Sequence, residues 1–161
     1  MTNDRGTEFD VRPYEPRDRI ALEAMYADFE PKRAAQGLPP EGEAALSRWL
    51  DRVLPSGEHL VVEIRNRIVG HVMLVPVDAQ TAELANFLHQ SARDRGIGTA
   101  LNRLARDVAR RSGLRRVWLS VEPGNRAALR SYEKAGFRRR PGSLWAPEIE
   151  MEAQLEPAPP R

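Results

Sequence analysis

The stretch that most limits what this chain can fold into is Leu88 to Leu101, LHQSARDRGIGTAL. An apolar-rich run, Leu84 to Leu88, leads into a polar loop, Gln90 to Arg95, and Gly96-Ile97-Gly98 then opens a segment of helical period. Strand, basic glycine turn and helix start, in that order, make an anion site. The first N–H groups of a helix have no intrahelical partner. The aligned peptide dipoles put about half a positive charge beside them. Gly96 and Gly98 lack a Cβ, so a ligand can come close to the backbone. Arg93 and Arg95 add permanent positive charge and forked donors. Phosphate or pyrophosphate is the natural guest; the plainer alternative is that the glycines only turn the chain. Two phosphate motifs are excluded. There is no GxxxxGK(S/T), and Leu101 stands where GxGxxG needs its third glycine.

The remaining composition narrows the class. A length of 161 residues fits one domain with a real core. Net charge is only +2, and Lys32 and Lys134 are the sole lysines. The high arginine content therefore reflects genome composition, and no nucleic-acid partner is expected. No apolar run approaches the ~20 residues that span a bilayer, and Met1 to Thr7 is polar, without a signal segment. Cysteine is absent, which removes disulfides, thiolate metal sites and a cysteine nucleophile. His59, His71 and His89 are too scattered to suggest a metal cluster. The expectation is a soluble, cytoplasmic, metal-free protein with no membrane partner.

Period and punctuation divide the chain. Met1 to Glu8 reads as a frayed tail, and Phe9 to Pro13 as a strand. Asp18 is placed to cap a helix from about Arg19 to Phe29, with Ile20, Leu22, Met25, Tyr26 and Phe29 on its apolar side and Pro31 as its stop. Pro31 to Gly42 is a loop. Glu43 to Leu54 is a second helix, turning Ala45, Leu46, Trp49, Leu50 and Val53 inward. Tyr26 and Trp49 read as core, the alternative being that this part overhangs a site. His59 to Ile64 and Ile68 to Val77 read as a hairpin, although Arg65-Asn66-Arg67 lacks the usual glycine; Pro76 marks an end or bulge. Glu83 to His89 is the next strand. Gly98 to Arg111 is a helix with Leu101, Leu104, Ala105 and Val108 inward, ended by Gly113. Val117 to Val121 is a strand, and Arg126 to Ala135 a helix capped by Asn125 and ended by Gly136. Phe137 to Arg140 and Trp145 to Leu155 are the last strands, before a disordered tail from Glu156 to Arg161. The order predicts an α/β chain of mixed-sheet, α+β type with helices on both faces, in one domain over 9–155.

Two blocks carry a resemblance. Arg93-Asp94-Arg95-Gly96-Ile97-Gly98 has the form (Q/R)xxGx(G/A), and Asn125 to Phe137, NRAALRSYEKAGF, has the form NxxAxxxYEKxGF. In this order, one strand apart, they resemble the coenzyme-A loop and the following helix of the GCN5-related N-acetyltransferase (GNAT) family. The resemblance implies an acyl-CoA N-acyltransferase fold: a central seven-stranded mixed sheet splayed open after the strand ending near Leu88. It implies acetyl-CoA as co-substrate and an amine of a small molecule or peptide as acceptor. The acceptor itself is left open, with Pro31 to Val53 and Arg140 to Pro147 as the segments free to select it. The residues leave assembly open too, and the family admits a homodimer.

Site residues follow from the resemblance position by position. Arg93 to Thr99 (Arg93, Asp94, Arg95, Gly96, Ile97, Gly98, Thr99) would hold the pyrophosphate. Main-chain groups of Phe87, Leu88 and His89 would pair with the pantetheine arm, and the backbone near Leu88 would donate to the thioester carbonyl as charge develops there. Asn125 matches a coenzyme-binding asparagine and equally an N-cap. Tyr132 matches the general acid: a phenol with pKa about 10, above a thiol at about 8.5, can donate a hydrogen bond throughout or a proton late. A core tyrosine is the plainer reading. The base is the open position. Glu83 is the candidate, but the family glutamate lies six residues before Leu88, where this chain has Ala82. One residue switches strand faces unless a bulge restores it. Asn86, His89 and a base-free route with a neutral amine remain alternatives, and so does a non-catalytic acyl-CoA-binding module. Gln90 stands where proline is frequent and Asp94 where glycine is common; Asp94 is expected to point to solvent.

Overall fold

The computed structural model describes residues 2, 6–30, 39–141 and 147–157. Seven strands form one mixed sheet in the order β1-β2-β3-β4-β5-β7-β6. They are β1 (Asp10–Pro13), β2 (Glu58–Ile64), β3 (Arg67–Pro76), β4 (Thr81–Leu88), β5 (Arg116–Val121), β6 (Arg138–Arg139) and β7 (Ile149–Gln154); the helices are α1 (Arg19–Ala27), α2 (Glu43–Val53), α3 (Ile97–Arg111) and α4 (Arg126–Lys134). The chain divides into two compact units, Met1–Val75 with Ala85–Ile97, and Pro76–Leu84 with Gly98–Arg161.

In the first unit, β1 pairs antiparallel with β2, and β2 with β3. The missing turn glycine has a physical answer. Arg65 and Asn66 take φ values of 51° and 63°, the paired left-handed conformation of a type I′ hairpin turn, which asparagine tolerates best after glycine. The core joins Leu22, Met25, Tyr26 and Phe29 to Leu46 and Leu50 of α2, Met73 of β3 and Phe87 of β4. Leu22 and Leu50 are fully buried, and burying each such side chain contributes about 1.5–3 kcal/mol. Tyr26 is core, in edge contact with Trp49, Phe87 and His71, and Trp49 packs half-buried against the same cluster.

Three expectations are corrected here. The first helix ends at Ala27, not Phe29. Asp18 makes no side-chain cap bond to it. Its two carboxylate oxygens instead accept from the Arg12 guanidinium at 2.7 Å each, and one accepts from the Glu15 N–H at 2.8 Å. The Arg12 bond, chiefly, holds the Asp18 carboxyl below its usual range against its burial. Ile20, placed on the apolar side, is 82% exposed. His59 and His71, twelve residues apart, nonetheless meet. The β2–β3 register stacks their rings, and they form a buried chain. Tyr26 Oη lies 2.6 Å from His71 Nδ1, His71 Nε2 lies 3.0 Å from His59 Nδ1, and His59 Nε2 lies 2.8 Å from the Ser56 carbonyl. A carbonyl only accepts, so His59 carries its proton on Nε2, His71 donates from Nε2, and Tyr26 donates to His71 Nδ1. Burial first, and the neighbouring His59 second, push the His71 pKa down to about 3.

In the second unit, β5 runs parallel to β4 over Thr81–Glu83 only, and antiparallel to β7. The last two strands are shorter than predicted; Trp145 lies outside the described residues, as do 31–38 of the predicted loop. Leu101, Ala105 and Ala109 turn inward from α3, with buried Asn102 among them. Gly136 ends α4 with φ +91°, and a Cβ there would stand 2.2 Å from Arg106 Nη1. That guanidinium donates at 2.7 Å to the Ala135 carbonyl at the helix end, where positive charge is favoured. Thr2, assigned to the frayed tail, bridges to Glu8.

Candidate active site

The residues singled out from sequence fall in both units. In the first, β4 meets the polar loop. His89 N–H donates to the Val69 carbonyl at 2.7 Å, and the Phe87 carbonyl faces Gly70, whose added Cβ would touch it at 3.1 Å. Both residues thus direct main-chain groups at β3. Successive strand residues alternate the side to which their N–H and C=O point, so Leu88 directs its own away from β3. Of the three backbone positions named for the pantetheine arm, only Leu88 is turned outward. Its carbonyl already accepts from Arg93 Nε at 2.8 Å.

Arg93 is not extended into solvent. Besides Leu88 it donates through Nη2 to the Glu30 carbonyl, and its Cζ lies 4.9 Å from the centre of the Phe29 ring. Gln90 forks across the same turn: its Nε2 donates to the Asp28 carbonyl at 2.6 Å and its Oε1 accepts from Glu30 N–H at 3.0 Å. His89 Nε2 meets the Asp28 carboxylate at 2.9 Å, and its Nδ1 bonds Ser91. Proline could do none of what Gln90 does here, which explains that departure. Asp94 is exposed, as expected. Its φ of +61° is the left-handed conformation that glycine takes without strain. Arg95 and Gly96 are exposed at the tip, Gly96 with φ +78°, and Ile97 is buried.

In the second unit, the start of α3 is joined to α4 through one hydroxyl. Ser131 Oγ bonds Thr99 Oγ1 at 3.1 Å and accepts from Asn102 Nδ2 at 3.1 Å. Neither Asn102 nor Ser131 was singled out from sequence; a polar residue on the inward stripe of α3 was the available signal. Gly98 needs no glycine for the protein's sake. Its φ is not left-handed, and an added Cβ would make only ordinary contact with Ser131 Oγ at 3.5 Å. Asn125 caps α4, its Oδ1 accepting from Ala128 N–H at 3.2 Å. Tyr132 is buried, in edge contact with Phe137, and its pKa is pushed up to about 12 by burial. Glu83 is half-buried; desolvation first, and the charge of Glu148 second, raise its pKa above the usual carboxylate range. Along β4, Ala82 and Leu84 are buried on one parity, and Ala85 and Phe87, on the other parity with Glu83, pack against the core of α1 and α2. Among the described residues no group of three or more His, Asp or Glu could hold a metal, and no helix is long and apolar enough to cross a membrane.

The family model for acetyltransferases of the GNAT family matches residues 21–137. The chain belongs to that family. Its fold is similar to the GNAT domain of S. lividans PAT, at TM-score 0.78 and 21% identity over 93% of this chain and 92% of that one. An acetyltransferase of the GNAT family from Streptococcus pneumoniae aligns at TM-score 0.73 and 22% identity, over 92% of this chain and all of that one. Spermidine N-acetyltransferase from Vibrio cholerae, in complex with CoA and spermine, aligns at TM-score 0.70 and 18% identity, over 91% and 95%. No curated protein matches the sequence.

Proposed function

We propose that the protein transfers an acetyl group from acetyl-CoA to a primary amine of a small molecule or peptide. The observation that carries this reading is the turn itself: Gly96, at φ +78°, opens α3 directly after a basic loop and the outward-facing Leu88. The N–H groups at such a helix start suit a pyrophosphate. Acetyl-CoA brings an activated thioester; the remaining work belongs to this chain. The N–H groups at the start of α3 hold the diphosphate, and the Leu88 N–H donates to the thioester oxygen as charge grows on it.

The shifts divide the labour between Tyr132 and Glu83. A phenol at about 12 lies about 3.5 units above a thiol at about 8.5, so full proton transfer to the leaving thiolate is uphill by about 5 kcal/mol. Tyr132 therefore acts as a hydrogen-bond donor that stays protonated. Glu83, with its pKa raised, holds a proton better than an ordinary carboxylate does, and so serves better as acceptor for the proton the ammonium must lose.

Two measurements test this reading. Calorimetry should show saturable acetyl-CoA binding, and no binding at millimolar ligand sinks it. A thiol-release assay across an amine panel should find at least one acceptor. Binding without turnover on any amine assigns the chain instead to a non-catalytic acyl-CoA module.

A further inference from the structure

We propose that Arg93 is a positioning residue, a strut between the end of β4 and the turn that follows α1, and does not grip the phosphates itself. The inference rests on the CoA reading above and reassigns one residue within it. Nε of the guanidinium is committed to the Leu88 carbonyl, Nη2 to the Glu30 carbonyl, and the flat face lies over Phe29. These contacts use the Nε/Nη2 edge, one of the two edges by which an arginine forks onto a phosphate. They also fix the peptide whose neighbouring N–H matters most: holding the Leu88 carbonyl outward holds the Leu88 N–H in the same orientation.

The strut is one of several bonds tying the two segments. Gln90 donates to the Asp28 carbonyl and accepts from Glu30 N–H, and His89 meets the Asp28 carboxylate. Asp28 to Glu30 leaves α1 and leads into the segment that the sequence leaves free to select the acceptor. The end of β4 and the approach to that segment are therefore one hydrogen-bonded body. Arg93 is partly withdrawn from water, and desolvation lowers its pKa, as befits a guanidinium laid against protein. The anion-binding work falls to the backbone N–H groups at the start of α3 and to Arg95, which is exposed at the loop tip.

Arg93→Lys and Arg93→Ala separate the two roles. A lysine keeps the charge but cannot reach two carbonyls in a fixed fork. The first measurement needs no ligand. Amide hydrogen exchange at Glu30 and His89 should quicken by about tenfold or more in both variants, since local opening there loses its cross-tie. Unchanged exchange overturns the strut. The second is CoA calorimetry. Both variants should bind CoA about tenfold or more weaker, the worth of a hydrogen bond to a charged group, with lysine giving no rescue. Wild-type affinity in Arg93→Lys, with weak binding in Arg93→Ala, would show that charge at the phosphates is what counts and overturn the proposal. A wild-type protein that ignores CoA would sink the acetyltransferase reading, while the exchange measurement would still decide the strut.

Discussion

Gly98 is the position that tests the anion site most cleanly, with Gly98→Ala set beside Gly98→Leu. Gly98 is the second residue of α3, outside the left-handed region, and its new methyl would meet only Ser131 Oγ at 3.5 Å. Alanine is better than glycine in a helix interior by about 0.8–1 kcal/mol. At the first turn, where fewer backbone bonds depend on the residue, about half of that is expected, which raises Tm by about 1–2 °C for a chain of this size. The unliganded protein should therefore be slightly more stable. CoA should be held nearly as well, within about threefold, because the (Q/R)xxGx(G/A) form takes alanine at this position. Gly98→Leu should differ: its longer side chain crowds the first N–H groups, and each charge-assisted hydrogen bond lost costs about 1.5–3 kcal/mol. That is about a 10- to 150-fold rise in Kd for CoA, read by calorimetry beside a thermal melt of the same sample. A Gly98→Leu protein that stays folded and binds CoA within twofold of wild type refutes the reasoning. Gly96 is the poorer site for this test. At φ +78° any other residue there strains the turn by about 1–2 kcal/mol, so lost binding would not separate sterics at the ligand from damage to the loop.

Acid should loosen the first unit before most carboxylates titrate. The His71 pKa is depressed from 6.5 to about 3, so its neutral form is the folded one, and its contribution is complete above about pH 6.5 and falls as pH drops toward 3. At pH 5 the loss is about 1.5 units, or about 2 kcal/mol; urea midpoints at pH 7 and 5 should show it, and His71→Gln should flatten the difference. An equal slope in that variant would clear His71 of the effect. Gly136→Ala must drive a Cβ to within 2.2 Å of Arg106 Nη1 and hold alanine at φ +91°, which combines about 1–2 kcal/mol of backbone strain with the loss of the Arg106 bond to Ala135, for about 3 kcal/mol in all. A chemical melt shifted by less than about 1 kcal/mol counts against that packing. Tyr132→Phe should leave CoA affinity within twofold and lower kcat by about 10- to 100-fold; equal loss in binding and kcat would make Tyr132 a packing residue.

What the sequence made legible was local, and what it hid was paid for by partners far along the chain. Helices with an apolar stripe and glycine stops were readable because period and positive φ are properties of neighbouring residues: Gly113 and Gly136 end their helices at φ +84° and +91°. Asp18 misled because the helix start lies beside it while its true partner, Arg12, comes from β1 across a turn that no propensity reports. His59 and His71 looked unrelated at twelve residues' separation, and only the β2–β3 register brings their rings together. Arg93 was readable as charge but not as geometry, since its acceptors lie at Leu88 and at Glu30, the second sixty-three residues away. The strand β4 shows the same division inside one element. Counting by twos from Leu88 puts Ala82 where an acid is wanted and turns Glu83 to the opposite face. Packing agrees with an unbroken pleat: Ala85 and Phe87, which share Glu83's parity, pack against the α1 and α2 core, while Ala82 and Leu84 are buried on the other parity. Pairing with β5 ends at Glu83. What Glu83 offers an amine proton therefore rests on its desolvated carboxyl, which spacing along a strand does not report, and not on register with Leu88.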